Sequence, residues 1–124
     1  ASVVFTRATS GQHVERMLRA RGLHDVLLPR ITRFDTGPAM MEHVLQGSGR
    51  QPEVCIGAIV ELLMFRPRGL QYVGPLPDAL QHFTTYVALP MVRAPNPAGA
   101  RALLAALAAP ESVAMLRACG VETA

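Results

Sequence analysis

Two short runs of small polar residues are the best candidates for chemistry in this chain. Thr9-Ser10-Gly11-Gln12 and Thr36-Gly37-Pro38-Ala39 each stand where a helical pattern opens after an extended one. The start of a helix presents backbone N–H groups with no partner inside the helix, and it carries the positive end of the helix dipole. An anion fits both features. Ser10 and Thr36 add hydroxyl groups, and Gly11 and Gly37 let a ligand come close to the backbone. The candidate ligand-binding residues are therefore Thr9, Ser10, Gly11, Thr36, Gly37 and Pro38, although Pro38 has no N–H to donate. The two hydroxyls have a second use, because Ser10 and Thr36 are each good N-caps for their own helices. Both uses remain open at this stage.

The other reactive side chains form no catalytic or metal-binding pattern. His13, His24, His43 and His82 share no spacing that would gather metal ligands. Ser10 lies in Thr-Ser-Gly-Gln rather than in the Gly-x-Ser-x-Gly elbow of α/β-hydrolases. No phosphate-loop or dinucleotide-binding glycine pattern occurs. An enzyme would need His13, His43 and a carboxylate such as Glu42 to converge from distant positions. Cys55 and Cys119 make no CxxC motif. Cys55 lies in an apolar run where a thiol stays protonated and inert. Buried free thiols are expected for both, with a disulfide between them as the alternative. The expectation is a binding protein with no catalytic residue, no metal and no cofactor.

The elements that must position the two turns are legible from periodicity and from Gly and Pro. Ser2–Thr6 is a β-branched strand. A helix follows from a Ser10 cap, buries Val14, Met17 and Leu18, and ends at Gly22. Leu23–Pro29 is a connector with room for a helical turn, and Arg30–Asp35 is a second strand anchored by Ile31 and Phe34. Thr36 opens a helix with Met40, Met41, Val44 and Leu45 on its apolar side, stopped by Gly47-Ser48-Gly49. Glu53–Val60 is almost wholly apolar, as in a central strand covered on both faces. Beyond it come a helical turn before Gly69 and strands at Leu70–Val73 and Phe83–Val92. Helices at Asn96–Ala108 and Glu111–Ala118 complete the chain. The implied fold is α/β: a mostly parallel βαβαβ sheet with helices on both faces. Residues 1–93 supply the sheet and crossover helices of a single lobe, and residues 94–124 supply a helical tail. In such a sheet the helix starts gather at the carboxyl edge of the strands, where ligands bind.

Composition narrows the role further. The chain has 124 residues, half of them hydrophobic, and its mean hydropathy is +0.25. One domain of this length buries a real core and leaves apolar surface for a partner. No apolar run reaches the roughly 18 residues of a membrane-spanning helix, so no membrane insertion is expected. All twelve basic residues are arginine and the net charge is +3, yet the arginines are scattered among nine acids with few aromatics. That pattern does not suit nucleic acid. Arg16, Arg19 and Arg21 fall on the solvent side of the first helix.

The joints of the chain carry a resemblance. The order Gly-Pro-Leu-Pro-x-x-Leu-Gln, a tyrosine-bearing strand, an Asn-Pro helix and a Pro-Glu-Ser helix runs from Tyr72 to Gly120. It resembles the C-terminal portion of bacterial extracellular solute-binding proteins of ABC importers, in their molybdate-binding-like branch. ATSGQHVERMLRARGL and DTGPAMMEHVLQGSGRQPEVCIGAIVEL are similar to earlier parts of the same lobe. The resemblance implies one lobe of a type II periplasmic-binding fold, the second lobe plus its tail, with the first lobe outside this sequence. It further implies a small-molecule or oxyanion ligand such as molybdate, held weakly or not at all by this lobe alone. Ser10 and Gly11 match the first anion-contacting turn and Gly37 or Pro38 the second. Ala58 stands where molybdate binders often place a tyrosine. The implied partner of the full-length protein is an ABC-transporter permease, the implied location is the periplasm, and leftover apolar surface implies a homodimer of this chain. The same fold also serves as the effector domain of bacterial transcription regulators, which is the alternative role.

Overall fold

The structure, a computed structural model, describes residues 1–49 and 52–123. The chain divides into two compact units, Ala1–His82 and Phe83–Ala124.

The first unit is built on three parallel strands in the order β2-β1-β3. Strand β1 (Ser2–Thr6) is central, β2 (Ile31–Phe34) lies on one side, and β3 (Glu53–Cys55) on the other. Val3 stands opposite both Ile31 and Val54, and Val4 opposite both Thr32 and Cys55. Alternation along β1 sends its side chains to two separate cores. Phe5 packs with Val14 and Leu18 of helix α1 (Thr9–Ala20), with Val3, Met17, Leu27, Ile31 and Ile56 around them. On the opposite face Val4 packs with Met40 and Met41 of α3 (Gly37–Leu45) and with Leu62 of α4 (Ile59–Phe65). Leu70 closes that second core. Between α1 and β2 the connector forms a short helix, α2 (His24–Leu27), and a 3₁₀ turn at Leu28–Arg30. The α/β fold with parallel strands and helices on both faces is the one the sequence implies.

The α1 stripe of Val14, Met17 and Leu18 is as the periodicity requires, and Gly22 ends the helix with φ +66°. Arg16, Arg19 and Arg21 are exposed.

Three expected strands differ. The apolar run from Glu53 leaves the sheet after Cys55, and α4 begins at Ile59. Ile56 still donates its N–H to the Val4 carbonyl at 3.0 Å, after which Gly57 passes against Met40. A short apolar run reads the same for a buried strand and a buried helix, and here it holds the end of one and the start of the other. Leu70–Val73 joins no ladder; Leu70 is buried beneath α4 and Tyr72 is half-buried. Phe83–Val92 is also not a strand, and it is exposed throughout, from Phe83 at 62% to Val92 at 102%. Strand-forming residues need a half-buried pleated surface to lie on, and this stretch has none among the described residues.

In the second unit, Asn96 Oδ1 accepts the Gly99 N–H at 2.9 Å and opens α5 (Pro97–Leu107), and α6 (Pro110–Ala118) follows. Among the described residues no single helix is long and apolar enough to cross a membrane; α5 and α6 together have the length but are bent by 61° at their junction. Both cysteines are free, Cys55 half-buried and Cys119 exposed. The expectation of two buried thiols therefore holds only in part. Cys119 lies at the end of α6, a helix that buries none of its residues.

Candidate functional site

β1 and β2 are adjacent and parallel, so the turns that leave them lie side by side at the carboxyl edge of the sheet. Arg7 fastens one turn to the other. Its backbone N–H donates to the Phe34 carbonyl at 2.8 Å, and its guanidinium donates to the Arg33 carbonyl at 3.3 Å and the Asp35 carboxylate at 3.0 Å. Helices α1 and α3 both begin at this edge, α1 on one face of the sheet and α3 on the other, which brings Thr9, Ser10 and Gly11 to the same edge as Thr36, Gly37 and Pro38.

The two helix starts are built differently. Ser10 is not the cap of α1. Ala8 holds that position with extended backbone and no side-chain hydrogen bond, and Ser10 is the second residue of the helix. The Ser10 hydroxyl lies 3.3 Å from the Thr6 hydroxyl instead. The first-turn N–H groups of α1 are therefore answered neither by the helix nor by a side-chain cap. Thr9 is exposed, Ser10 half-buried and Gly11 buried. A β-carbon at Gly11 would overlap the Thr6 carbonyl oxygen and lie 2.5 Å from its carbon, so this glycine is required by the packing of helix on strand.

Thr36, by contrast, is the cap that the sequence implies. Its Oγ1 accepts the Ala39 N–H at 3.3 Å. Pro38, the second helical residue, has no N–H. Gly37 is buried, and a β-carbon there would overlap Oε2 of Glu61 and lie 2.8 Å from its Cδ. Glu61 reaches this place from the first turn of α4, whose N-cap Ala58 makes no side-chain hydrogen bond. A carboxylate of the chain itself thus lies at the positive end of the α3 dipole. Sequence reasoning missed Glu61. Its signal was an acid three residues past a small N-cap, the mark of a first helical turn, hidden inside a run read as strand.

The residues an enzyme would have needed do not converge. The His13 ring pairs through Nε2 with the Leu80 carbonyl at 2.8 Å and stacks on His82 at 4.9 Å between centroids. Glu42 is held by Arg68, and that hydrogen bond keeps the Glu42 carboxyl below its ordinary value. His43 faces Glu53 at 3.3 Å, and the buried His24 lies 2.9 Å from Asp25 and 3.6 Å from Glu15. Each group has its own partner, and no two of them share one. Among the described residues no three His, Cys, Asp or Glu side chains are placed to share a metal ion.

No curated protein and no solved structure matches the chain. The family model of the bacterial extracellular solute-binding proteins matches residues 3–122, nearly the whole sequence, and the chain belongs to that family.

Proposed function

We propose that this chain is one ligand-contacting lobe of a periplasmic receptor that delivers a small solute, an oxyanion of the molybdate type, to an ABC-transporter permease. The observation that carries this reading is the start of α1. It lies at the carboxyl edge of a parallel sheet, it has no side-chain cap, and the hydroxyls of Thr6 and Ser10 flank it. Backbone donors and hydroxyls held at the positive end of a helix bind an anion without a formal counter-charge.

The two turns play unequal parts. Thr9, Ser10 and Gly11 supply the donors. At Thr36, Gly37 and Pro38 one N–H is absent, that of Ala39 is already taken by Thr36, and Glu61 adds a negative charge. This second turn shapes the site and orients the ligand, while the charge of an anion falls on α1. A further lobe, encoded outside these residues, closes the cleft. This lobe alone binds weakly or not at all, because half of the contacts are elsewhere. The reading involves no cofactor and no catalytic residue.

A thermal-shift series with molybdate, tungstate, sulfate and phosphate tests it, run on the full-length gene product beside this chain. A ligand that binds only the folded state raises the melting temperature by mass action. The expected result is a selective rise in the full-length protein that Ser10→Ala diminishes. No rise with any oxyanion retires the oxyanion and turns the search to organic solutes.

A further inference from the structure

We propose that the outer side of α1, together with α2 and the 3₁₀ turn before β2, is a peripheral contact surface for an anionic lipid membrane. Arg16, Arg21 and Arg30 bind its phosphate headgroups, and Leu23, Val26 and Leu28 form an apolar centre among them. The net charge of the chain lies entirely in this stretch. Residues 15–33 hold five arginines and two acids, whereas the rest of the sequence holds seven of each. The net charge of +3 is therefore concentrated in one short segment. A surface with an excess of one sign draws in a partner of the other.

Glu15 holds the segment together. Its carboxylate takes Arg19 of α1 at 2.7 Å and Arg33 of β2 at 3.0 Å, and the buried His24 of α2 lies 3.6 Å away. Three elements are thus drawn around one acid, which occupies Arg19 and Arg33 within the fold. The other acid, Asp25, lies 2.9 Å from His24. Arg16 precedes Arg19 by one turn of α1, and Arg21 and Arg30 flank α2 on either side. All three are exposed and have no partner among the described residues. A guanidinium is a planar fork of donors that meets phosphate oxygens two at a time.

The apolar centre follows from how α2 packs. His24 is buried and Leu27 lies against the core of Phe5, Val14 and Leu18, which turns Leu23 and Val26 outward. Val26 is 74% exposed, and Leu28 behind it is 52% exposed. Apolar side chains standing in water among cations suit a membrane interface, with the tips at the acyl boundary and the arginines at the headgroups. A lipid surface is favoured over an acidic protein for a physical reason. A protein partner with fixed acids must order each long arginine side chain at an entropic cost, whereas fluid phosphates meet it where it reaches. The solute turn stays free, because α1 runs from Thr9 at the carboxyl edge to Ala20 at the other end, and the patch is carried by its far half.

Flotation of the purified chain with vesicles tests the surface, one set of phosphatidylcholine alone and one with about a third of phosphatidylglycerol. The expected result is binding to the mixed vesicles only, weakened by high salt. The triple variant Arg16→Gln/Arg21→Gln/Arg30→Gln should bind on the order of a hundredfold more weakly, about fivefold for each cation at a charged surface. The control Arg66→Gln/Arg93→Gln/Arg101→Gln removes the same charge from other exposed positions and should bind nearly as the parent does. All six positions are exposed, so folding is not at stake in either variant. Equal binding to both kinds of vesicle would overturn the proposal and leave the patch to an acidic protein surface. Binding that survives the triple variant, or that falls equally in the control, would overturn it by placing the contact elsewhere on the chain.

Discussion

The carbonyl oxygen of Thr6 fills the space in which a β-carbon at Gly11 would sit, so α1 lies directly on the end of β1. Inside an ordinary helix, alanine is better than glycine by about 1 kcal/mol. Here the order reverses, because the added methyl meets backbone and no side chain can give way. Gly11→Ala should destabilise the first unit by about 1–3 kcal/mol, the usual cost of overpacking, or more. Urea denaturation followed by circular dichroism measures it. A midpoint equal to or above the parent's would mean that α1 does not approach β1 this closely.

Ser10 and Thr36 act through different bonds. Thr36 caps α3 through Ala39, so Thr36→Ala should cost about 1 kcal/mol of stability. Ser10 caps nothing, but its hydroxyl shares a hydrogen bond with that of the buried Thr6, so Ser10→Ala should cost about 0.5–1.5 kcal/mol, and nearly nothing once Thr6 is replaced by valine. Equal costs with and without the Thr6 hydroxyl would mean that Ser10 is held by something other than Thr6.

The sequence made these two residues look alike, and the reason shows how far it could be read. Both helix starts were visible because Gly and Pro mark chain breaks locally and the apolar stripes of Val14–Leu18 and Met40–Leu45 repeat with the helical period. Whether a hydroxyl sits at the cap or inside the first turn depends on a shift of two residues, which periodicity does not resolve. The pairings of His43 with Glu53 and Glu42 with Arg68 join residues far apart in the chain and leave no local mark. Phe83–Val92 was read from its β-branched and aromatic composition, but a strand also requires a neighbour, and composition says nothing of that.

The two thiols should differ in reactivity. Burial pushes the Cys55 thiol above its ordinary value, and the nearby Glu53 charge adds to the effect. Cys119 is exposed. Because the thiolate is the reacting form, Cys119 should be labelled first by a maleimide or by Ellman's reagent, and Cys55 only slowly unless the chain is unfolded. Peptide mapping after a short pulse distinguishes them. Equal labelling in the native protein would contradict the half-buried placement of Cys55.

Acid should weaken the first unit in a definite window. The Arg68 hydrogen bond holds the Glu42 carboxyl below its ordinary value, and Arg19, then Arg33, do the same for Glu15. In each case the folded value lies below the unfolded one. The contribution is therefore fully present above the unfolded value and is lost as pH falls through the folded one, from about pH 5 downward. These groups face solvent, so the effect should be small and high salt should flatten it. The urea midpoint measured at falling pH should drop less in Glu42→Gln than in the parent. An equal slope in both would remove Glu42 from the account.

The exposed row Phe83, Tyr86, Val87, Leu89, Met91 and Val92 sets the behaviour of the chain in solution. Its residues favour strand, yet the stretch belongs to no ladder, and exposed strand-forming apolar residues with no ladder of their own recruit further chains. The chain alone should therefore self-associate, giving a light-scattering mass above the 13.3 kDa of a monomer at micromolar concentration. Lysine at Tyr86 and Val87, both more than three-quarters exposed, should lower that mass without changing the melting temperature of the first unit. Charge on an unpaired strand blocks pairing, whereas it leaves a packed core elsewhere untouched. A monomeric mass for the parent would show that the row is tolerated in water, and the apolar composition would then need a different explanation.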